Sequence, residues 1–145
     1  MSKTNTFEND LLLHLFNNSA ITLVGDAAGL LPSAAPGSLY ISLHTADPGE
    51  AGDQTTSETT YTSYARVAVA RSGAGWTVSG NSVSPAAAIN FPACTGSTST
   101  VTHFGVGTAS SGAGKMLYKG TVTPNIAVSN GVTPQLTTAT AITED

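Results

Sequence analysis

The residues whose types suit catalysis or ligation are few: His14, His44, His103, Cys94 and the carboxylates of one loop, Asp47, Glu50, Asp53 and Glu58. No pair of them has the spacing of a zinc motif. A single cysteine leaves no intrachain disulfide and no cysteine-based metal site. Spacing permits one nucleophilic arrangement, Cys94 with His44 or His103, because such partners meet in space and not in sequence. Nothing near Cys94 in the chain marks its thiol as activated, and structural roles are the plainer expectation for all four. Calcium ligation needs oxygens at fixed spacing, which the acidic loop lacks, so that loop reads as solvated. Gly105, Gly107, Gly112 and Gly114 precede no Gly-Lys-Ser/Thr sequence and no helix signal, which makes them strand and turn glycines. Trp76 with Tyr61 and Tyr64 could form a stacking platform for a sugar, against the commoner use of isolated rings in core packing. The expectation is a protein that is not an enzyme and takes no metal or cofactor.

The elements that must position these residues are mostly strands. In residues 39–48, LYISLHTADP, apolar Leu39, Ile41 and Leu43 alternate with Tyr40, Ser42 and His44, the period of a half-buried strand. Asp47, Pro48 and Gly49 end it as a turn. The loop 49–61 is long for an ordinary connection and is expected to be mobile or to form an interaction surface. Further strands are expected at 64–71, 76–79, 82–84, 88–91, 101–108 and 115–120, with a loop at 93–100 and a last edge strand in the Thr-rich tail 133–145. Gly80-Asn81 and Asn130-Gly131 are tight-turn signals. Gly105 and Gly107 leave one strand face open to close approach by a neighbouring backbone or ring.

One helix precedes the strands, over residues 5–17. Asn5 with Glu8 three residues later can form a capping pair, with Thr6 the alternative cap. Phe7, Leu11, Leu12, Leu15 and Phe16 make one broad apolar stripe. Three turns are too few for stability alone, so the stripe must cover its own sheets or pack on a neighbouring subunit. Residues 21–36 are small and rich in Gly and Pro, with a short strand expected at 21–24. About eight short strands spaced by turns predict a mainly β chain, an antiparallel β-sandwich of jelly-roll or immunoglobulin-like outline, with one N-terminal α-helix. The expected division is a helix and connecting arm over 1–36 and a β-sandwich domain over 37–145.

Composition agrees. The 145 residues are the size of one domain. Only 10% are charged, against roughly 25% in an average soluble protein, while 22 Thr and 16 Ser give a neutral, hydroxyl-rich surface. The net charge is −4, and the five cations (Lys3, Arg66, Arg71, Lys115, Lys119) are scattered, which argues against nucleic acid as a partner. The apolar run at 11–16 is interrupted by His14 and too short for a secretion signal or a membrane span, so no membrane partner is expected. One unpaired thiol fits assembly in a reducing cytoplasm.

Taken in order, LYISLHTADPGEAG, YARVAVAR, Trp76, INFP at 89–92, VTHFGVGTASSGAGKMLYKG and VSNGVTP resemble a family of small tailed-bacteriophage virion proteins often labelled tail fibre proteins. The likeness spans residues 37–134 or so, and none of its motifs is catalytic. It implies a non-enzymatic phage structural protein with a β-sandwich core, assembled in the bacterial host cytoplasm and carried on the virion. Two placements follow. As a capsid decoration (cement) protein it would sit on the capsid surface and stabilise the head, with the major capsid protein and itself, as a homotrimer, for partners. As a tail or tail-fibre component it would contribute to host attachment, with glycan binding through Trp76, Tyr61 and Tyr64. Small size and the lack of a shaft repeat or heptads favour decoration. The expected contact residues are the helix stripe Phe7, Leu11, Leu12, Leu15 and Phe16 as an anchor, and Asp47, Glu50 and Asp53 of the acidic loop. A low surface charge suits many modest contacts summed by multivalency.

Overall fold

The computed structural model describes residues 1–145. The chain is mainly β, with antiparallel sheets and a single N-terminal helix. It forms two compact units, each drawn from separate stretches. One comprises Met1–Ser38, Val69–Ala88 and Thr137–Asp145, the other Leu39–Ala68 and Ile89–Leu136.

In the first unit α1 spans Asn5–Asn17, as its apolar spacing requires. Leu12 and Phe16, four residues apart, are fully buried, and Glu8 lies in line with them one turn earlier. The buried stripe is therefore narrower than the sequence suggests, because only one line of a wide apolar face meets the hairpin it packs on. That hairpin is β3 (Trp76–Ser79) with β4 (Ser82–Pro85), joined by Gly80-Asn81 and extended by β9 (Ile142–Thr143). Phe16 and Trp76 meet edge to face with ring centroids 4.8 Å apart. Burial of side chains such as Leu12, Phe16 and Val83 contributes about 1.5–3 kcal/mol each, which is what stabilises so short a helix. The helix is preceded by Thr4, an extended residue whose side chain makes no capping bond. Neither the Asn5–Glu8 pair nor a Thr6 cap forms, since Glu8 is turned inward. Asn18 closes the other end in the left-handed conformation at φ 55°, which asparagine tolerates.

A four-stranded sheet has the order β2-β1-β6-β7: β2 Val67–Ala70, β1 Ser38–His44, β6 Ser99–Gly107 and β7 Met116–Val128, and all of it but Ser38, Val69 and Ala70 belongs to the second unit. β1 and β6 run antiparallel, placing His44 opposite His103 and Tyr40 opposite Gly107. A second small pair joins β5 (Ile89–Asn90) to β8 (Gln135–Leu136). Leu39, Ile41, Leu43, Val101, Phe104, Val106, Phe91 and Leu136 are among the second unit's buried side chains. Val101 and Phe104 are both buried although they are three residues apart, and between them the β6–β7 register shifts, as at a bulge. Val101 faces Ile126 and His103 faces Thr121, so residues 122–125 of β7 are looped out against Thr102 alone.

Several expected boundaries move. β7 continues well past Gly120, because the Phe104 ring occupies the space its missing side chain leaves and β-branched residues resume the pairing. Residues 64–66 are not strand, and β6 begins at Ser99 inside the expected 93–100 loop. The tail splits into β8 and β9. The Asn130-Gly131 turn joins no two strands of one hairpin. It clasps Cys94 instead, through Gly131 N to Cys94 O at 2.7 Å and Cys94 N to Val132 O at 2.8 Å.

Candidate interaction surface

The polar face of β1 is not solvated. Ser42 and His44 expose no surface at all, because the loop after β1 folds back over them. His44 Nδ1 lies 2.8 Å from Thr56 O, and a carbonyl can only accept, so Nδ1 carries the proton. Nε2 is then the acceptor for Ser42 Oγ at 2.8 Å. Burial pushes the His44 pKa below the usual histidine range. A serine bonded to a neutral histidine is the start of a nucleophile, but here the third partner is a peptide carbonyl and both side chains are sealed from solvent.

The same loop is pegged at two further points. Gln54 is fully buried: its Nε2 donates to Tyr40 O at 3.3 Å, and its Oε1 accepts from Ala109 N at 3.0 Å. Its carboxamide fills the space over Gly107 and Gly114 that any side chain there would take. Glu58 grips Arg66 in a fork, Oε1 to Nε at 2.7 Å and Oε2 to Nη2 at 2.8 Å. Arg66 also donates to Ala109 O and Gly112 O, and Tyr64 links Glu58 to the backbone N of Leu43. Burial pushes the Tyr64 hydroxyl pKa far above its usual range. The loop is thus pinned to the second unit at Gln54, Glu58, Thr59 and Tyr61, while Asp47, Glu50 and most of its other residues stay in contact with solvent.

The predicted contact carboxylates all have partners within the chain. Asp47 and Glu50 hold Lys119 at 3.0 and 3.1 Å. Asp53 Oδ1 accepts from the Thr55 hydroxyl at 2.6 Å and from its backbone N at 2.8 Å. The Asp47 pKa is lowered, first by the backbone N–H of Gly49 and then by Lys119, and that of Asp53 is lowered first by the Thr55 hydroxyl. No group of three or more His, Cys, Asp or Glu is placed to hold a metal ion.

The other candidates resolve as structure. Cys94 is buried and its Sγ donates to Gly96 O, so its partner is a carbonyl and neither histidine. His14 Nδ1 donates to Ser19 O at 2.7 Å, and His103 Nδ1 pairs with Thr102 Oγ1. Trp76 is buried on Phe16 in the first unit, while Tyr61, Tyr64 and Phe91 pack on one another in the second. Core packing therefore accounts for these rings, and they present no open stacking platform. Of the helix stripe, Leu12 and Phe16 are in their own unit's core, Leu11 and Leu15 are half-buried, and Phe7 is exposed.

What the structure does leave open is apolar and confined to the N-terminal end of the chain. Every exposed large hydrophobic side chain (Met1, Phe7, Leu23, Val24, Leu30, Leu31) falls in the first 31 residues. Four of them sit on the arm that follows α1, at 80% exposure for Leu23, 43% for Val24, 47% for Leu30 and 68% for Leu31. No strand forms at 21–24. Ile21 instead makes an isolated two-way bridge with Leu30, at 3.0 and 2.8 Å, and plugs inward at 2% exposure. Between them Asp26 Oδ1 accepts from the backbone N of Ala28 and Gly29. Gly29 sits at φ +68° with no room for a side chain against the Ile21 backbone, and Leu23 holds a left-handed φ of 66°.

The base of this arm is fixed as well. Asn18 exchanges two side-chain bonds with the Ser33 backbone, both 2.9 Å. Arg71 reaches Leu15 O at 2.6 Å, His14 O at 2.7 Å and Pro36 O at 3.1 Å. One guanidinium thereby satisfies the unpaired carbonyls at the helix C-terminus and ties the arm to them. Sequence periodicity misses this surface because Leu23-Val24 and Leu30-Leu31 follow neither a helical nor a strand period. The available signal was the placement of apolar pairs in a Gly/Pro segment with one charge.

The family described as Podophage GP4 fiber I protein gp80 matches residues 2–143, a span that includes the helix and the arm. A search of curated proteins gave no match.

Proposed function

Since the chain belongs to the Podophage GP4 fiber I protein gp80 family, we propose that this phage structural protein is a non-enzymatic building block of a virion fibre. It works by protein–protein contact, with itself and with its neighbours in the particle. The observation that carries this is the division of labour in the side chains. His44, Cys94, Gln54, Glu58 and Arg66 are bound into the interior, whereas the pinned arm at residues 19–37 presents apolar surface outward.

A second placement is capsid decoration, with homotrimers bound to the major capsid protein on the capsid surface. A surface whose few charges are largely paired within the chain suits the many modest, repeated contacts of a lattice and supports it. Copy number per particle separates the two, by quantitative mass spectrometry of purified virions. A fibre set by tail symmetry gives about a dozen copies or a small multiple, and a lattice protein gives hundreds. Hundreds of copies would reject the fibre placement. For host attachment, a glycan contact would use exposed residues other than Trp76, Tyr61 and Tyr64.

A further inference from the structure

We infer that residues 55–57 are an acid-released latch on β1: they lie closed over His44 while its imidazole is neutral and lift away when the ring takes a second proton.

The site is built for a neutral ring. His44 and Ser42 expose no surface, and both ring nitrogens meet uncharged partners, Thr56 O at Nδ1 and Ser42 Oγ at Nε2, each at 2.8 Å. A proton on Nε2 reverses the second bond. Ser42 must then give its own hydroxyl proton to Gly105 O, 3.5 Å away, which is longer than a good O–H···O bond. The charged and titratable groups around the ring are Glu58 from the loop, Arg66 beyond it and His103 across the β1–β6 ladder. From β7 comes Lys119, opposite Gly105, with its ammonium held by Asp47 and Glu50. Glu58 favours a charged ring, Arg66 and His103 oppose it, and the Arg66 fork already occupies the Glu58 carboxylate at 2.7 and 2.8 Å. On the sheet side the ring is tightly closed, since a methyl on Gly105 would stand 2.9 Å from both Nε2 and the Met116 side chain. An imidazolium sealed in this way has lost its water without gaining a counter-ion of its own.

Residues 55–57 are the part of the cover that lifts most easily. They are Thr, Thr and Ser, so lifting them gives up no buried apolar side chain. Gln54 and Glu58 peg their two ends. Between the pegs they hold β1 through Thr56 O and through Ser57 O, which accepts from Thr45 N at 2.8 Å and Thr45 Oγ1 at 3.2 Å. Water can replace each of these carbonyls. Ser57 sits at φ 54°, a left-handed conformation that strains a serine and that opening relieves. β1 keeps Ile41 and Leu43 in the core, so the strand stays in place while the latch moves.

The latch goes beyond the fibre reading and holds wherever the protein sits in the particle. Its test is amide hydrogen exchange of the full chain, resolved by NMR and corrected for the intrinsic effect of pH. The Thr45 amide reports the latch and the β6 amides report the core. An open ring titrates near 6.5, so between pH 7.5 and 5.5 the latch should open up to about tenfold more often. Thr45 protection is expected to fall by that order, to respond little to dilute urea, and to stay well below β6 protection at both pH values. His44→Gln is expected to remove the fall. Thr45 protection that ignores pH overturns the latch. Protection and urea sensitivity equal to those of β6 overturn it as well, because the proton then acts only through global unfolding. An undiminished fall in His44→Gln assigns the response elsewhere and rejects it. Should His44→Gln not fold, the other two histidines decide: a fall kept in both His14→Gln and His103→Gln supports His44, and its loss in either rejects the assignment.

Discussion

Replacing Arg66 by alanine asks whether the loop after β1 is pinned to the second unit. The Arg66 side chain is 3% exposed and that of Glu58 16%. The change deletes both arms of the fork to Glu58 and the bonds to Ala109 O and Gly112 O, and leaves Glu58 with the Tyr64 hydroxyl. Removing one partner of a buried pair costs about 3–5 kcal/mol, chiefly because the other charge stays behind undersolvated. The lower figure applies here, since Glu58 keeps some water. At this chain length each kcal/mol moves the melting midpoint by about 2–4 °C, so Arg66→Ala is expected to lower it by about 6–12 °C.

Scanning calorimetry with urea titration followed by circular dichroism reads this directly. Arg66→Lys keeps the charge and loses the planar fork, and is expected to fall between wild type and alanine. Lys119→Ala removes solvent-exposed ion pairs and is expected to leave the midpoint almost unmoved. If Arg66→Ala melted no lower than Lys119→Ala, the loop would not be held as the structure describes.

Four other expectations follow from particular contacts. The folded pKa of His44 lies below its unfolded value of 6.5, so the unfolded chain takes up the proton first and stability falls as pH drops through 6.5 toward the folded value. The urea midpoint should be lower at pH 5.5 than at 7.5, and His44→Gln should shrink that difference; an equal difference in both proteins refutes the assignment. Gly107→Ala drives a methyl into the Gln54 carboxamide, costing about 1–3 kcal/mol by overpacking. Combining it with Gln54→Ala should cost less than the two single changes added, and strict additivity would show that they do not meet. Trp76, the only tryptophan, is 2% exposed, so acrylamide should quench it several-fold less in the native protein than in urea. Quenching that is equal in both would place the ring on the surface. Arg71→Ala frees the arm while keeping its apolar side chains, so it should raise the arm's susceptibility to limited proteolysis; unchanged cleavage would show that Asn18 and the Ile21–Leu30 bridge suffice.

Local pattern made much of the fold legible. Apolar spacing gave α1 its limits, and the alternation of Leu39, Ile41 and Leu43 gave β1. Bare positions at Gly105 and Gly107 announced a close approach, which proves to be His44 and Ser42 over one and Gln54 over the other. The fate of the polar residues was not legible, for a physical reason. Ser42 and His44 alternate as a solvated face would, and only the loop's return buries them. That return is fixed by pairs far apart in sequence, Gln54 with Ala109 and Arg66 with Gly112. Periodicity reports which side of a strand a residue occupies, not what will later cover that side. The arm was missed for the complementary reason: its rigidity comes from Asn18, Ser33 and Arg71, while its own residues carry no period.

The placement of charge connects the fold to the function. A chain with so few ionisable residues turns several of them inward or against one another: Arg66 with Glu58, Arg71 onto helix carbonyls, Lys3 onto Glu144, Lys119 between Asp47 and Glu50. Pairs so arranged fix loops and chain ends, and they leave little field to steer a distant partner. Recognition by such a surface has to rest on shape and apolar contact, both of which are weak unless the contacting segment is ordered beforehand. The arm meets that condition. Its strained Leu23, its bridged Ile21 and its clamp at Arg71 hold apolar side chains in water, an arrangement that a solitary monomer gains nothing from and that repeated copies in a particle can use.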